Sequence, residues 1–257
     1  RLRHSLGRNR RTLEAEAAGA WEVAASTALA QAWQVGAGAA ARGTTFARLA
    51  AKAGLRTLAG SPAASSDWIN DQPAFAVTPG ESVATALRRL LAVVSDGTRS
   101  GQAGAEFTVV GRAAGEAPVE TFGGSGFPVT RLELSDEGAA ANWVRLQGAG
   151  RYADAVDLAA VARHGPRLEL QRNLAAGSDA KAAGYAAAAL RRALLGRESG
   201  RLVCAHHAGI ELFDPVQLSD AGLGLAATVF RVTGVELDYR AGVAGSQYEA
   251  TLTLGPL

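Results

Sequence analysis

Hydrophobic and polar positions alternate most cleanly in the last fifty residues, 209–257. Tyr248, Ala250, Leu252 and Leu254 fall on one face and Glu249, Thr251 and Thr253 on the other, the pattern of a half-buried antiparallel strand. Upstream, Phe230 and Val232 keep even parity, but after Gly234 the apolar set becomes Val235, Leu237 and Tyr239. One extra residue at the glycine, a β-bulge, keeps both halves facing the same core. Asp214-Pro215 and Ser219-Asp220-Ala221-Gly222 read as turns bracketing Val216 and Leu218. The segment predicts three or four short antiparallel strands of a small sandwich or barrel.

Helical spacing dominates elsewhere. Ser178 is placed to cap a helix in which Ala182, Tyr185, Ala186, Ala189, Leu190, Ala193 and Leu194 form one face up to Gly196. Thr45 is the candidate N-cap of another, with Phe46, Leu49, Ala50 and Ala53 inward and Gly54 as its stop. Thr78-Pro79-Gly80-Glu81 has the form of a capping box opening a helix with Val83, Leu87, Leu90, Leu91 and Val94 on a stripe, ending near Asp96-Gly97. Residues 19–35, with Trp21, Ala25, Ala28 and Ala32 at helical spacing, read as an alanine-rich helix, broken by Gly36-Ala37-Gly38 and Arg42-Gly43. A short helix carrying Val156, Leu158, Ala159 and Ala162 is expected between Tyr152 and His164-Gly165-Pro166. Strands are expected at 12–17, 75–77, 106–111, 129–134, 142–146 and around Leu168 and Leu170, and a loop at 60–74. The fold class is therefore α+β: two small antiparallel β-barrel or sandwich-like modules with packed amphipathic helices, divided as 1–104 and 105–257.

Composition changes this picture little. The 257 residues are 48% hydrophobic and 19% charged, enough to bury a core in one large or two modest domains. The net charge of +2 is uneven: five of the 26 bases, Arg1, Arg3, Arg8, Arg10 and Arg11, precede the first acid, Glu14, leaving 21 bases against 24 acids. The body is mildly acidic and the basic character is a tail, expected to be a solvated, mobile end; its other reading is a nucleic-acid contact. Cys204 is the only cysteine, so no intramolecular disulfide forms. No apolar run approaches the ~20 residues of a membrane span, and a soluble protein is expected. With Arg1 first and no Met anywhere, the chain is expected to have lost its initiator or to be a piece of something longer.

Few residues are arranged for chemistry. Gly123-Gly124-Ser125-Gly126-Phe127 approaches a nucleophile elbow, but Phe127 stands where the second glycine is needed and Pro128 leads into a strand. Gly36-Ala37-Gly38 lacks both a preceding parallel strand and the lysine of a phosphate loop, and reads as a helix break. Cys204, His206 and His207 are the one cluster of metal-type ligands, with only His164 and His4 as further histidines, short of a four-ligand zinc site. Asp154 with Asp157, and Asp67 with Asp71, are paired carboxylates without a surround that raises one pKa; Asp154 is expected to start a helix. No catalytic, cofactor-binding or metal-binding residue is assigned, and no cofactor is expected.

Three patches taken in order resemble a known family. Thr44-Thr45-Phe46 through Ala53-Gly54-Leu55, a loop, and Phe75-Ala76-Val77-Thr78-Pro79-Gly80-Glu81-Ser82 form the first. The second is Tyr152-Ala153-Asp154-Ala155-Val156-Asp157 to His164-Gly165, followed by the 178–196 helix. Phe213-Asp214-Pro215-Val216-Gln217-Leu218-Ser219-Asp220, Phe230-Arg231-Val232-Thr233-Gly234-Val235 and Tyr248-Glu249-Ala250-Thr251-Leu252-Thr253-Leu254-Gly255 form the third. Together, over residues 44–255, they resemble the baseplate or tail hub proteins of phages and phage-like injection particles, the late-control-protein-D type.

The resemblance implies a non-enzymatic ring subunit at the virion's tail tip. It implies a homotrimer with two barrel-like domains per chain, which joins the tail tube or distal tail protein to a tip or spike protein. Tape measure protein and DNA in transit would pass through the ring, and no membrane span is involved. Closed rings also satisfy sheet edges between neighbours. Two other readings stay open: a hydrolase domain of a tail-associated protein, uniting Ser125 or Asp154 with a histidine such as His164, and a nucleic-acid-binding module resting on the Arg1 to Arg11 tail.

Overall fold

A computed structural model describes residues 2–7, 10–15, 19–60, 66–92, 94, 96–100, 105–111, 116–135, 138–173, 176–197, 199–242 and 245–256. The chain is α+β and divides into two compact units, Arg1–Leu91 with Thr98–Val109, and Ala92–Gly97 with Val110–Leu257.

In the first unit the basic segment is a hairpin instead of a loose end. Leu2–Gly7 (β1) and Arg10–Ala15 (β2) pair antiparallel, Leu2 opposite Ala15 and Gly7 opposite Arg10; Arg1 and Arg8 lie outside the described residues. The expected 19–35 helix is cut short: Ala20–Ser26 (α1) ends where Leu29 donates its amide to Glu81 O (2.9 Å), and Trp33–Val35 (β3) is a strand. Alanine accepts either conformation, so long-range pairing decides the state. Arg42–Lys52 (α2) begins three residues before Thr45, with Ala41 at its cap; Thr45 is buried inside the helix, and Gly54, at φ +72°, ends it as expected. Arg56–Ala59 (β4) and a short helix, Ser66–Asn70 (α3), follow, the latter within the expected loop.

Phe75–Val77 (β5) falls where the alternation placed it and pairs with β3. Thr78 to Glu81 is a turn, because Gly80 sits at φ +85°. The Glu81 carboxylate does accept from the Thr78 amide (3.3 Å), but Val83–Leu91 (α4) opens with Ser82, whose hydroxyl accepts from the Thr85 amide (3.2 Å). Gly97–Ser100 (β6) and Glu106–Val110 (β7) complete a sheet ordered β4-β7-β6, with β4 parallel to β7. The core gathers Phe46, Leu49, Leu87, Leu90 and Phe107, with Trp21 edge-on to Phe107 at 4.8 Å and Trp68 edge-on to Phe46 at 5.0 Å. Buried Arg42 ties α2 to α4 by donating to Leu90 O (3.0 Å) and pairs with Asp71.

The second unit starts with Glu120–Phe122 (β8) and Val129–Leu134 (β9), then Trp143–Gln147 (β10), Tyr152–Val156 (β11), Leu158–His164 (α5) and Leu168–Arg172 (β12). The 17-residue helix Asp179–Leu195 (α6) begins as its sequence demands, with the Ser178 hydroxyl accepting from the Lys181 amide (3.3 Å). Gly200–Ala205 (β13), Pro215–Asp220 (β14), Leu225–Gly242 (β15) and Gly245–Pro256 (β16) close the chain. In place of three or four short strands, the tail is β14 plus one long hairpin of 18 and 12 residues. The expected bulge is present: the β15–β16 register shifts between Val232 and Gly234, so Val232 opposes Leu254 while Val235 opposes Leu252, all on one face.

Two layers result. Strands ordered β8-β14-β15-β16-β13-β9 form a six-stranded half-barrel whose core holds Phe122, Leu202, Cys204, Leu218, Val232 and Leu252. Its two edge strands, β8 and β9, are consecutive in the chain, and the 123–128 turn brings them together through a parallel bridge between Phe122 and Phe127. Separately, β11-β10-β12 packs one face on α6, burying Val144 and Leu146 against Ala182, Ala186 and Ala189.

Candidate functional site

The glycine-rich segment around Ser125 is the seam of the half-barrel. Phe127 N–H donates to Thr121 O (2.7 Å), Gly123 N–H to Phe127 O (2.9 Å), and the Phe122 and Phe127 rings meet edge-on at 5.6 Å. Gly126 is required by closeness: a Cβ there would lie 2.2 Å from Thr121 O. Gly123, at φ +76°, would place one 2.3 Å from Ser219 O. Ser125 is exposed at the tip of this turn. Beside the seam lies an open cleft of about 720 Å³ lined by apolar Phe122, Pro128, Leu132, Leu218 and Leu225.

Cys204, His206 and His207 do come together, lining a cavity of about 50 Å³ with Ile210, Val235 and Leu237. Their chemistry is already committed. Burial pushes the Cys204 thiol up to about 11. His207 Nδ1 accepts from the Gly209 amide (3.2 Å), so Nε2 carries the proton and donates to Glu120 at 3.0 Å, pinning the 206–210 loop to β8. His206 stacks on Tyr248 with ring centroids 4.1 Å apart. Among the described residues no group of three or more His, Cys, Asp or Glu side chains is placed to hold a metal ion.

Asp154 is not at a helix start. It lies on β11, where Arg145 of β10 clamps it with two hydrogen bonds of 2.8 Å and Trp143 Nε1 donates at 3.3 Å; the Arg145 hydrogen bond holds its carboxyl below the usual carboxylate value. The helix-start role belongs to Asp157, whose carboxylate accepts from the Ala160 amide (2.9 Å). Asp71 is engaged by Arg42, and the side chain of Asp67 lies outside the described residues. Gly36 to Gly38 is a turn pinned by Gly38 N–H donating to Gln72 O (3.0 Å). His164 ends α5, its ring against Gly138.

Sequence reasoning missed Arg231. It alternates with Phe230 and Val232 and so looks solvent-facing, yet it is buried and donates to Phe213 O (2.8 Å) and Glu116 (3.0 Å). It thereby holds the 211–214 turn, where Phe213 itself sits at φ +74°.

The largest surprise is a surface. On β12, Glu169 and Gln171 share the α6-facing side while Leu168 and Leu170 face outward, Leu170 being 71% exposed. Trp143, Val156 and Tyr152 (68% exposed) share that outer face, with Leu158 (76% exposed) at its margin. A second exposed stripe lies on the hairpin: beyond Arg231, β15 leaves β14, and half-covered Val235 and Leu237, opposite Leu252 and Ala250 of β16, continue the core face to Tyr239 (60% exposed) and Tyr248. Neither stripe has a sequence signal of its own, since alternation does not tell a core face from a docking face. Among the described residues no helix is long and apolar enough to cross a membrane.

No protein-family model matches the chain, and no curated protein matches its sequence. Solved structures do. The tail protein from Neisseria meningitidis MC58 is similar over 98% of this chain and 78% of its own, with TM-score 0.64 and 15% identity. Prophage tail protein gp18 from Listeria monocytogenes EGD-e is similar over 98% of this chain and 74% of its own (TM-score 0.51, 12% identity). The 43 kDa tail protein of prophage MuSo2 from Shewanella oneidensis is similar over 81% of this chain and 62% of its own (TM-score 0.55, 14% identity). Over 98% of its length the chain is similar in fold to the Neisseria and Listeria tail proteins, and over 81% to the Shewanella one.

Proposed function

We propose that the chain is a structural subunit of a phage or phage-like tail, a ring-forming hub that joins the tail tube to the tip and lines the passage for tape measure protein and DNA. The observation that carries this reading is the fold shared with the Neisseria tail protein across 98% of the chain. The fate of the candidate groups supports it: Asp154 is clamped by Arg145, His207 is a peg on Glu120, and the Ser125 loop is a seam. In this reading the subunit is a homotrimer, works without catalysis, and spends its side chains on shape and neighbour contacts.

Deleting the chain from its parent locus tests the reading. Particles from the deletion strain lack finished tails and regain them when wild-type or S125A chain is supplied in trans. Finished tails without the chain overturn the proposal, and rescue by wild type but not by S125A turns it toward the hydrolase reading.

A further inference from the structure

Residues 23–66 contain no Asp or Glu, although the chain has 24 acids in 257 residues, and they carry four bases, Arg42, Arg48, Lys52 and Arg56. Arg42 is buried and paired with Asp71. Arg48 and Lys52 are exposed on α2, one turn apart on the same side of the helix, about 6 Å along its axis. Among the described residues neither has an ion-pair or hydrogen-bond partner. A base in the last turn suits the helix dipole, which accounts for Lys52 but not for Arg48 or for the missing acids.

Both cations lie beside an aromatic ring. Half-buried Trp33 of β3 borders two open clefts, one of about 430 Å³ with Lys52 and the 28–32 segment, the other of about 360 Å³ with Arg48, Ala51 and Lys52. No acid lines either cleft, and Leu29 and Gln31 apart, the other walls are alanines, so the indole is the largest ring surface in reach. Each volume falls within the about 300–1,000 Å³ of small-ligand sites.

We infer that this site holds single-stranded nucleic acid, with a base stacked on Trp33 and its flanking phosphates on Arg48 and Lys52. The unpaired cations call for an anion, and the ring decides which. The negative face of an aromatic ring repels a carboxylate, so an acidic peptide would use the cations and gain nothing from Trp33, whereas every nucleobase offers a π face to it. A duplex keeps its base faces inside the stack and reaches only the cations. The inference goes beyond the tail role and does not rest on it.

Fluorescence anisotropy of a short labelled oligothymidylate tests it on the full chain and three variants: Trp33→Leu, Trp33→Phe, and Arg48→Gln combined with Lys52→Gln. Trp33→Leu is expected to weaken single-strand binding by roughly 5- to 150-fold, the loss of one stacked base, and to leave binding of an equally long duplex unchanged; Trp33→Phe, which keeps a ring, retains most of the affinity. The double variant is expected to flatten the slope of log K against log salt by about 1.4, or about 0.7 for each lost phosphate contact. Arg48 and Lys52 are exposed, so this slope decides the matter even where Trp33→Leu melts early. Wild-type affinity in Trp33→Leu, or an unchanged slope in the double variant, overturns the inference and puts the strand elsewhere on the chain. Equal displacement of the oligonucleotide by polyglutamate also overturns it, in favour of an acidic peptide, and equal displacement by thymidine monophosphate does so in favour of a free nucleotide. The tail role is judged separately by the deletion strain, whatever this site binds.

Discussion

Replacing Gly126 by alanine tests whether the glycine-rich loop is a seam of the half-barrel or a seat for a reactive serine. The added Cβ would lie 2.2 Å from Thr121 O, 2.8 Å from Thr121 C and 3.1 Å from its Cγ2, and two of these three atoms are backbone that no rotamer change moves. Relief requires β8 and the turn to separate by about 1 Å, given that carbon contacts settle near 3.5 Å. That separation strains or breaks the 2.7 Å hydrogen bond from Phe127 N–H to Thr121 O and loosens the Phe122–Phe127 ring contact. Overpacking costs about 1–3 kcal/mol and the lost hydrogen bond about 1 kcal/mol, so G126A is expected to lose roughly 2–4 kcal/mol. For a chain of this size each kcal/mol moves Tm by about 2–4 °C, so melting followed by circular dichroism falls by roughly 5–15 °C. Exposed Ser125 is the control: S125A stays within about 0.5 kcal/mol of wild type. Equal melting of G126A and wild type refutes the seam.

Other substitutions probe the remaining elements. Asp157→Ala removes the cap of α5 and is expected to cost about 1 kcal/mol in urea unfolding; no change in midpoint would mean that Asp157 is not the cap. Leu146→Ala and Leu170→Ala sit on opposite faces of one sheet: the first, fully buried, costs about 2–5 kcal/mol, whereas the second stays within about 0.5 kcal/mol when measured at concentrations where the chain is monomeric. Similar losses for the two would show that Leu170 is a core residue. Cys204, with its thiol pushed up to about 11, is almost wholly protonated at pH 8 and is expected to react with a thiol reagent only as fast as the protein unfolds; rapid labelling of the folded chain contradicts its burial.

Much of the fold was legible because local signals and tertiary packing agreed. Ser178, the apolar face of α6 and Gly196 all name one helix, and the parity switch at Gly234 reads directly as a bulge because one residue inverts every later side chain. Where local signals were neutral, distant partners decided. The alanines before Trp33 suited a helix or a strand, and pairing of β3 with β5 chose. Capping rules found the right chemistry one step away from its place: Asp157 caps α5 in place of Asp154, and Ser82 caps α4 in place of Thr78. Parallel pairings, β4 with β7, β8 with β14 and β10 with β12, join strands far apart in sequence, and alternation carries no record of them. The exposed apolar surfaces of the second unit were not legible. Leu168 and Leu170 signal a strand with an apolar side, and only the position of α6 reveals that this side faces outward.

The claim on which the account rests is that these residues build a tail part. Negative-stain imaging of the parent particle, with gold coupled to an antibody against this chain, tests it most directly. Label at one end of every tail, where tube meets tip, is the predicted result. Label on the head, or particles that carry none while the chain remains free in the lysate, would contradict it.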